Sequence, residues 1–522
     1  MPDAVRPHEL HGAVATPSGI ANGGAGSLDT VDAGRTSDGH AEGTPDGLYV
    51  GGHVSSGRLG LGARRRRAEV PGFSPGTTIA DKLTRTMDVP TLSSQVAAVE
   101  PAPPWRLATR VAFRFCFVYF GLYILLGQMN FIPFIPPLQR FAPIEPTVMW
   151  VIKNVFHDDR TLQVFGGSGD KMFDWVFVLC LLTFSAVVTL LWSVIDRRRH
   201  NYVWLQKWFR VYLRFGVATT MLGYGMQKAI PLQMPAPSLT RLLEPYGNFS
   251  PMGVLWASIG ASFPYERVVG LAELLAAGLL FIPQTVLLGG LVSLADSIQI
   301  FTLNMTYDVP VKLFSFHLVL LSLLILAPDA RRLLNLFVFN KVVEPSRQPP
   351  LGRRRRVIQF GIVAQLLLGV YFFWGAYQSA NQAFYTRGGG APRPPLYGVW
   401  VIEKMAIDGV ERAPLVTDYD RWRRVVIQSG TTMNFWRMDD TTFGMPAQYD
   451  LAKKTITLTQ GVGAQAKTLG AFAFDQPAPD RLVLDGELNG KNIRMETRLF
   501  PRESFLLVNR GFNWIQELPF NR

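Results

Sequence analysis

Apolar residues crowd into the middle of this 522-residue chain. Seven stretches, at about 107–126, 174–195, 211–230, 267–283, 284–303, 311–328 and 357–378, are almost wholly hydrophobic. A helix rises about 1.5 Å per residue, so each stretch predicts a helix that crosses or nearly crosses a hydrocarbon core of roughly 30 Å. The fourth and fifth meet at Pro283-Gln284, which predicts a tight turn between two helices. Before them, residues 1–104 are rich in Gly, Ala, Ser, Thr, Pro and Asp and poor in aromatics, a composition that predicts a disordered tail.

The pattern changes after a Gly/Pro linker at 379–396. From 397 to 522 short runs alternate or are β-branched and aromatic: Val399–Met405, Trp422–Gln428, Thr431–Met438, Thr455–Thr459, Leu469–Phe474, Arg481–Leu484, Asn492–Leu499 and Phe505–Asn509. Turn pairs such as Asp408-Gly409, Asp439-Asp440, Asp485-Gly486 and Asn489-Gly490 punctuate them. About eight short strands predict an antiparallel barrel or sandwich. The expected organisation is a cytoplasmic tail (1–104), a helical bundle (105–345), a basic loop with the last helix (346–378), the linker (379–396) and a β domain (397–522).

Charge assigns the sides. The formal net charge is +13, yet the tail to Arg106 holds 10 basic and 11 acidic residues and the β domain 16 and 15. The excess lies among the apolar stretches, which excludes a nucleic-acid-binding surface and makes the charge a topology signal. With the amino terminus inside, the inner connections and adjoining span ends carry 16 basic and 3 acidic residues, including Arg197–Arg199, Arg347 and Arg353–Arg356. The outer loops carry 7 and 8. An odd number of spans places the β domain outside. The run Arg64–Arg67 reads as a solvated charge cluster on the inner side. Cys116 and Cys180 fall in apolar runs and read as packing residues.

Ionisable residues inside the stretches are the candidate chemistry, because a charge in hydrocarbon costs at least about 2.5–3.5 kcal/mol. Counting along the helices puts Glu273, Asp296 and His317 at a common depth of roughly 10 Å below the outer end. Lys228 approaches from the third stretch, where Gly223 and Gly225 permit close packing. Tyr224, Gln227 and Gln299 are expected to complete a polar pocket. Carboxylates near an imidazole suit proton relays and quinone sites; the bland alternative is a buried network that fixes helix register. No histidine pair has haem-ligand placement and no Cys/His cluster suggests iron or zinc, so no intrinsic metal is expected. The loop Phe165–Asp170 reads as a Gly-rich turn, and Pro235–Pro251 as an ordered lid over the polar face. In the β domain, Gly398-Val399-Trp400 places a Trp at the closed end of a barrel, where Arg510 from the last strand is expected to stack on it.

The residues Tyr224-Gly225-Met226-Gln227-Lys228, the segment from Pro245 to Met252, Gly270 to Glu273, Tyr307 to His317 and Ser193 to Arg199 together resemble the DoxX family, in its long bacterial form with an exported domain. The resemblance implies a compact bundle in the bacterial cytoplasmic membrane. Relatives include a small subunit linked to thiosulfate:quinone oxidoreductase and terminal quinol oxidase, so the implied cofactor is a quinone and the implied partners are the bilayer and a respiratory or envelope subunit. The Gly-x-Trp start and late Arg510 resemble a lipocalin-type barrel. Two other readings are a small-solute transporter or channel, and a scaffold that displays the β domain.

Overall fold

The computed structural model describes residues 104–521, apart from 133, 134, 136, 137, 139–142, 161, 163, 165, 345–353, 462, 464 and 465. Nearly all of the expected tail lies outside the described residues, with Arg64–Arg67, Phe165, Arg347 and Arg353. All seven apolar stretches are helical. In chain order the helices are α1 (Leu107–Leu126), α2 (Ile144–Asn154), α3 (Met172–Ile195), α4 (Val203–Ala229), α5 (Leu239–Leu243), α6 (Pro251–Gly260), α7 (Phe263–Phe281), α8 (Val286–Thr306), α9 (Lys312–Leu326), α10 (Ala330–Phe337) and α11 (Arg355–Arg387). The expected turn at Pro283-Gln284 is present, and Thr285 Oγ1 closes it by donating to Leu279 O at 2.7 Å.

Among the described residues, five segments are long and apolar enough to cross a bilayer: α1, α3, α8, α9 with its continuation to Phe337, and α11. The other two long helices, α4 and α7, carry more polar residues and bury several of them, although α7 also turns Val268, Leu271 and Leu275 outward. Helix α4 buries Arg214 and Lys228, and α7 buries Glu266 and Glu273. The contrast is physical. Peripheral α3 and α11 turn large apolar side chains outward, among them Leu190, Leu191, Phe360 and Leu367, whereas a helix face enclosed by protein can hold polar groups that find partners there.

One end of the bundle is pinned by basic side chains. Buried Arg114 donates to Tyr202 Oη (2.9 Å), Ser193 Oγ (2.8 Å) and Asp196 O (2.9 Å). Asp329 receives Arg210 at 2.9 Å and Arg332 at 2.7 Å. At the opposite end, Gly166 and Gly167 adopt positive φ and swing the following residues onto the start of α9. There the Asp170 carboxylate accepts from the Lys312 and Leu313 amides, each at 2.9 Å. The Gly-rich turn thus supplies a helix cap from a distant part of the chain.

The carboxyl-terminal unit is a closed antiparallel barrel. Its strands are β1 (Gly398–Ile407), β2 (Val410–Glu411), β3 (Trp422–Ser429), β4 (Thr432–Arg437), β5 (Thr442–Asp450), β6 (Thr455–Gln460), β7 (Lys467–Ala478), β8 (Arg481–Leu488) and β9 (Lys491–Phe500). Eight form the wall, closed by β1 against β9, while β2 pairs only with the end of β1. The interior is filled by side chains, including Trp400, Met405, Phe435, Ile456, Phe472, Leu482 and Met495. On β1 the inward residues change parity, from Trp400 and Ile402 to Met405 and Ile407, because the pairing with β9 shifts between Ile402 and Lys404. Buried Arg421 steadies this irregularity by donating to Ile402 O at 3.1 Å and to Arg412 O at 3.2 Å.

Four expectations for this unit are corrected. Phe505–Asn509 is no strand: a short helix, α12 (Leu506–Asn509), follows β9. β5 was hidden by Gly444 and Pro446, residues that rarely mark a strand. Asp485-Gly486 is not a turn but part of β8; a Cβ on Gly486 would stand 2.0 Å from Ala471 O, so glycine is there to let strands approach. Arg510 does not meet Trp400. Its guanidinium lies 4.7 Å from the Phe520 ring centroid and bonds Gln516, because the chain leaves the sheet before reaching it. Trp400 instead donates from Nε1 to Leu396 O at 2.8 Å, and the buried arginine of the barrel is Arg421.

The barrel rests on the bundle through α5. Leu239 packs with Val399, Val426 and Trp436, and the Thr240 amide donates to Gln428 Oε1 at 3.2 Å. A Gly486→Ala variant should lose about 1–3 kcal/mol of barrel stability through the backbone clash. Thermal unfolding followed by near-ultraviolet circular dichroism checks this, and an unchanged midpoint would contradict it.

Candidate functional site

The site begins with two glycines. At the crossing of α4 and α7, a Cβ on Gly270 would fall 2.5 Å from Ala229 N and 2.7 Å from Gly225 O, and one on Gly225 would fall 2.9 Å from Gly270 O. Only residues without side chains allow this approach. Gly223, the other glycine expected to assist, has nothing near its Cβ position and lines a separate cleft. The crossing brings the next turn of α4 against α7, so Lys228 Nζ meets Glu273 Oε1 at 2.5 Å, with both residues buried. The Tyr224 ring lies 5.8 Å from the same ammonium.

This pair faces a cavity of about 260 Å³ between α4, α7, α8 and α9. Asp296 and Gln299 of α8 line it, with Phe314, Ser315 and Leu318 of α9. Asp296 is 8% exposed, and among the described residues its Oδ2 has no hydrogen-bond partner; neither has Glu273 Oε2. The cavity therefore holds two carboxylates against one cation, in mostly apolar walls.

A roof covers it. Helix α6 presents Met252, Leu255, Trp256 and Ile259 to the cavity, together with Gln233 and Met234 from the segment after α4. The roof is fixed by Trp256 Nε1 donating to Gln233 O (3.0 Å) and by the Met234 amide donating to Glu266 Oε1 (3.0 Å). A Cβ on Gly260 would stand 2.3 Å from Pro235 O, so this seal also needs a glycine. The segment expected as a lid, Pro235–Pro251, holds the approach to the roof: α5 touches the barrel, and α6 beyond it does the covering. Sequence reading missed α6, although Ser250-Pro251 is a helix-start signature; Ser250 Oγ accepts from the Gly253 amide at 3.0 Å.

Lys228, Glu273, Asp296, Tyr224 and Gln299 thus share one cavity. His317 and Gln227 do not. His317 is turned toward α1, where its Nε2 lies 2.6 Å from Tyr119 Oη and its ring stacks on Tyr123 at 4.0 Å; its Nδ1 lies 2.7 Å from Leu313 O. Its depth along the helix was legible, but its rotation was not: adjacent residues differ by about 100° around a helix. Gln227 faces the other side of α4, lining a cleft of about 290 Å³ with Ala376, Ala380 and Arg387 of α11. Trp400 and Arg510 lie apart in the β domain.

No protein-family model matches the chain, and no solved structure matches it. The uncharacterized protein YwoB of Bacillus subtilis (strain 168) is similar, with 31% identity over 102 residues, covering 20% of this chain and 60% of that protein. The chain thus spans about three-fifths of the length of this relative.

Removing one member of a buried ion pair strands a charge, at a cost of about 3–5 kcal/mol. Lys228→Met and Glu273→Leu should each destabilise the bundle on this scale, and the double variant should lose much less than the sum of the two. Unfolding in detergent checks this; additive losses would show that the pair is not coupled.

Proposed function

We propose that this chain is a DoxX-like protein of the bacterial cytoplasmic membrane, crossing it seven times with the basic end inside and the barrel outside, and that its roofed cavity binds a quinol. The observation that carries the reading is the imbalance of hydrogen-bonding groups in the cavity. The buried atoms there that have no partner among the described residues, Glu273 Oε2, Asp296 Oδ2 and Gln233 Oε1, are all acceptors. Lys228 is already engaged with Glu273. An apolar ring bearing hydroxyl donors satisfies both the apolar walls and these oxygens.

The volume agrees with a partial occupant. At about 260 Å³ the cavity falls just below the roughly 300–1,000 Å³ that usually encloses a whole small ligand. It suits a ring and leaves an isoprenoid tail in lipid. In this reading Asp296 accepts one hydroxyl proton, Glu273 accepts the second as its hold on Lys228 loosens, and Lys228 keeps the two carboxylates from repelling each other. Oxidation of the quinol releases two protons and two electrons; the electrons pass to the redox centre of a partner oxidoreductase subunit. His317 has no place in this proton path, since its ring faces Tyr119 and Tyr123.

A hydrogen bond to a charged group is worth about 1.5–3 kcal/mol, so Asp296→Asn should weaken binding of a short-chain quinol by about tenfold or more. His317→Gln should leave it within about twofold. Titration of the protein in lipid nanodiscs measures both; equal affinity of Asp296→Asn and the parent protein would overturn the assignment.

A further inference from the structure

The chain leaves its last strand at the end of the barrel that faces the bundle. β9 runs antiparallel to β1, with Phe500 opposite Val399 and Leu499 opposite Trp400, so β9 stops where β1 starts. β1 itself starts after the short linker that follows Arg387, the last residue of α11. The same end carries the contact between Leu239 of α5 and Val399 and Val426. Everything after Phe500 therefore begins beside the end of the bundle that the proposed topology places at the outer bilayer surface.

This terminal segment is built inside out for a loop in water. Phe512, Trp514, Ile515 and Leu518 are 79%, 91%, 83% and 81% exposed. Its polar groups meanwhile bond one another. Arg510 Nη2 donates to Gln516 Oε1 at 3.2 Å, Asn513 Nδ2 donates to Arg510 O at 3.4 Å, and the Arg510 guanidinium covers Phe520. A contiguous group of large apolar side chains offered outward marks an interaction surface. Its make-up, a Trp and a Phe beside Ile and Leu with Arg502, Arg510 and Arg522 against Glu503 and Glu517, fits the boundary between headgroups and acyl chains, where amphipathic aromatic rings concentrate.

We propose that Phe512, Trp514, Ile515 and Leu518 form an interfacial anchor that enters the outer leaflet. With α5 on one side and this anchor on the other, the barrel is held against the membrane and cannot swing on its linker. The roof of the cavity, which continues from α5, is then steadied by the bilayer as well as by the barrel. The proposal rests on the membrane-spanning reading above.

The test uses the full chain in liposomes, with Cys116 and Cys180 replaced by alanine and single spin labels at Trp514→Cys, Leu190→Cys and Val410→Cys. Leu190 is 67% exposed on α3 and reports lipid; Val410 is 64% exposed on β2, at the far end of the barrel, and reports water. Collisions with oxygen and with a water-soluble nickel chelate are compared. The anchor predicts that position 514 favours oxygen several-fold over nickel relative to position 410, as position 190 does. Nickel access at 514 equal to that at 410, with 190 still lipid-facing, overturns the anchor and leaves the spanning reading intact. Low access of both reagents at 514 overturns it in favour of a protein contact, and a nickel-accessible position 190 overturns the spanning reading and the anchor together.

Discussion

The backbones of α4 and α7 approach so closely at Gly225 and Gly270 that a single methyl group at either position would collide with the opposite main chain. Most of the candidate site depends on that approach. It sets Lys228 one turn beyond the crossing, against the helix that bears Glu273, and the resulting 2.5 Å ion pair lets two charged residues be buried together. The glycines and the ion pair explain each other. Close packing without the pair would leave buried charges unsatisfied, and the pair without close packing would leave two long side chains to find each other across a gap.

Around this crossing the helices divide by their surroundings. Open faces are apolar, that of α7 with Val268, Leu271 and Leu275 included, while the ionisable residues of α4 and α7 lie on the faces that these two helices turn inward. Asp296 then adds a second carboxylate to the cavity, with an oxygen that, like Glu273 Oε2, has no hydrogen-bond partner among the described residues. A fold that only needed to fix helix register could stop at Lys228 and Glu273. The roof adds to the contrast, since α6 is sealed by Trp256, Glu266 and Gly260, and its approach through α5 is fastened to β1, β3 and β4. The β domain, with its interior filled, acts here through its outer surface.

Much of the architecture was legible because it follows from one-dimensional pattern. Runs of apolar residues gave the seven long helices, and alternation with Asp408-Gly409 and Asn489-Gly490 turns gave most of the barrel, those pairs adopting the positive φ that such turns require. The failures share a cause: they depend on what lies across from a residue. Glycine usually marks a turn, but at Gly486 a neighbouring strand demands it. Gly444 and Pro446 concealed β5. Arg421, buried against main-chain carbonyls, has no motif to mark it, whereas Arg510 carries the motif and lies outside the barrel wall. In the bundle, depth placed Glu273, Asp296 and His317 in one layer, but azimuth decides what meets, and it turned His317 toward Tyr119 while keeping Asp296 in the cavity.

The central claim is that the cavity carboxylates take up protons from a bound quinol. Redox-triggered infrared difference spectroscopy of the purified protein with its electron-accepting partner reads that event directly. The account predicts protonated-carboxyl absorption that appears as the quinol is oxidised, shifts in deuterium oxide, loses its Asp296 component in Asp296→Asn and persists whole in His317→Gln. A difference spectrum with no carboxyl band, or with one that Asp296→Asn leaves unchanged, would contradict it.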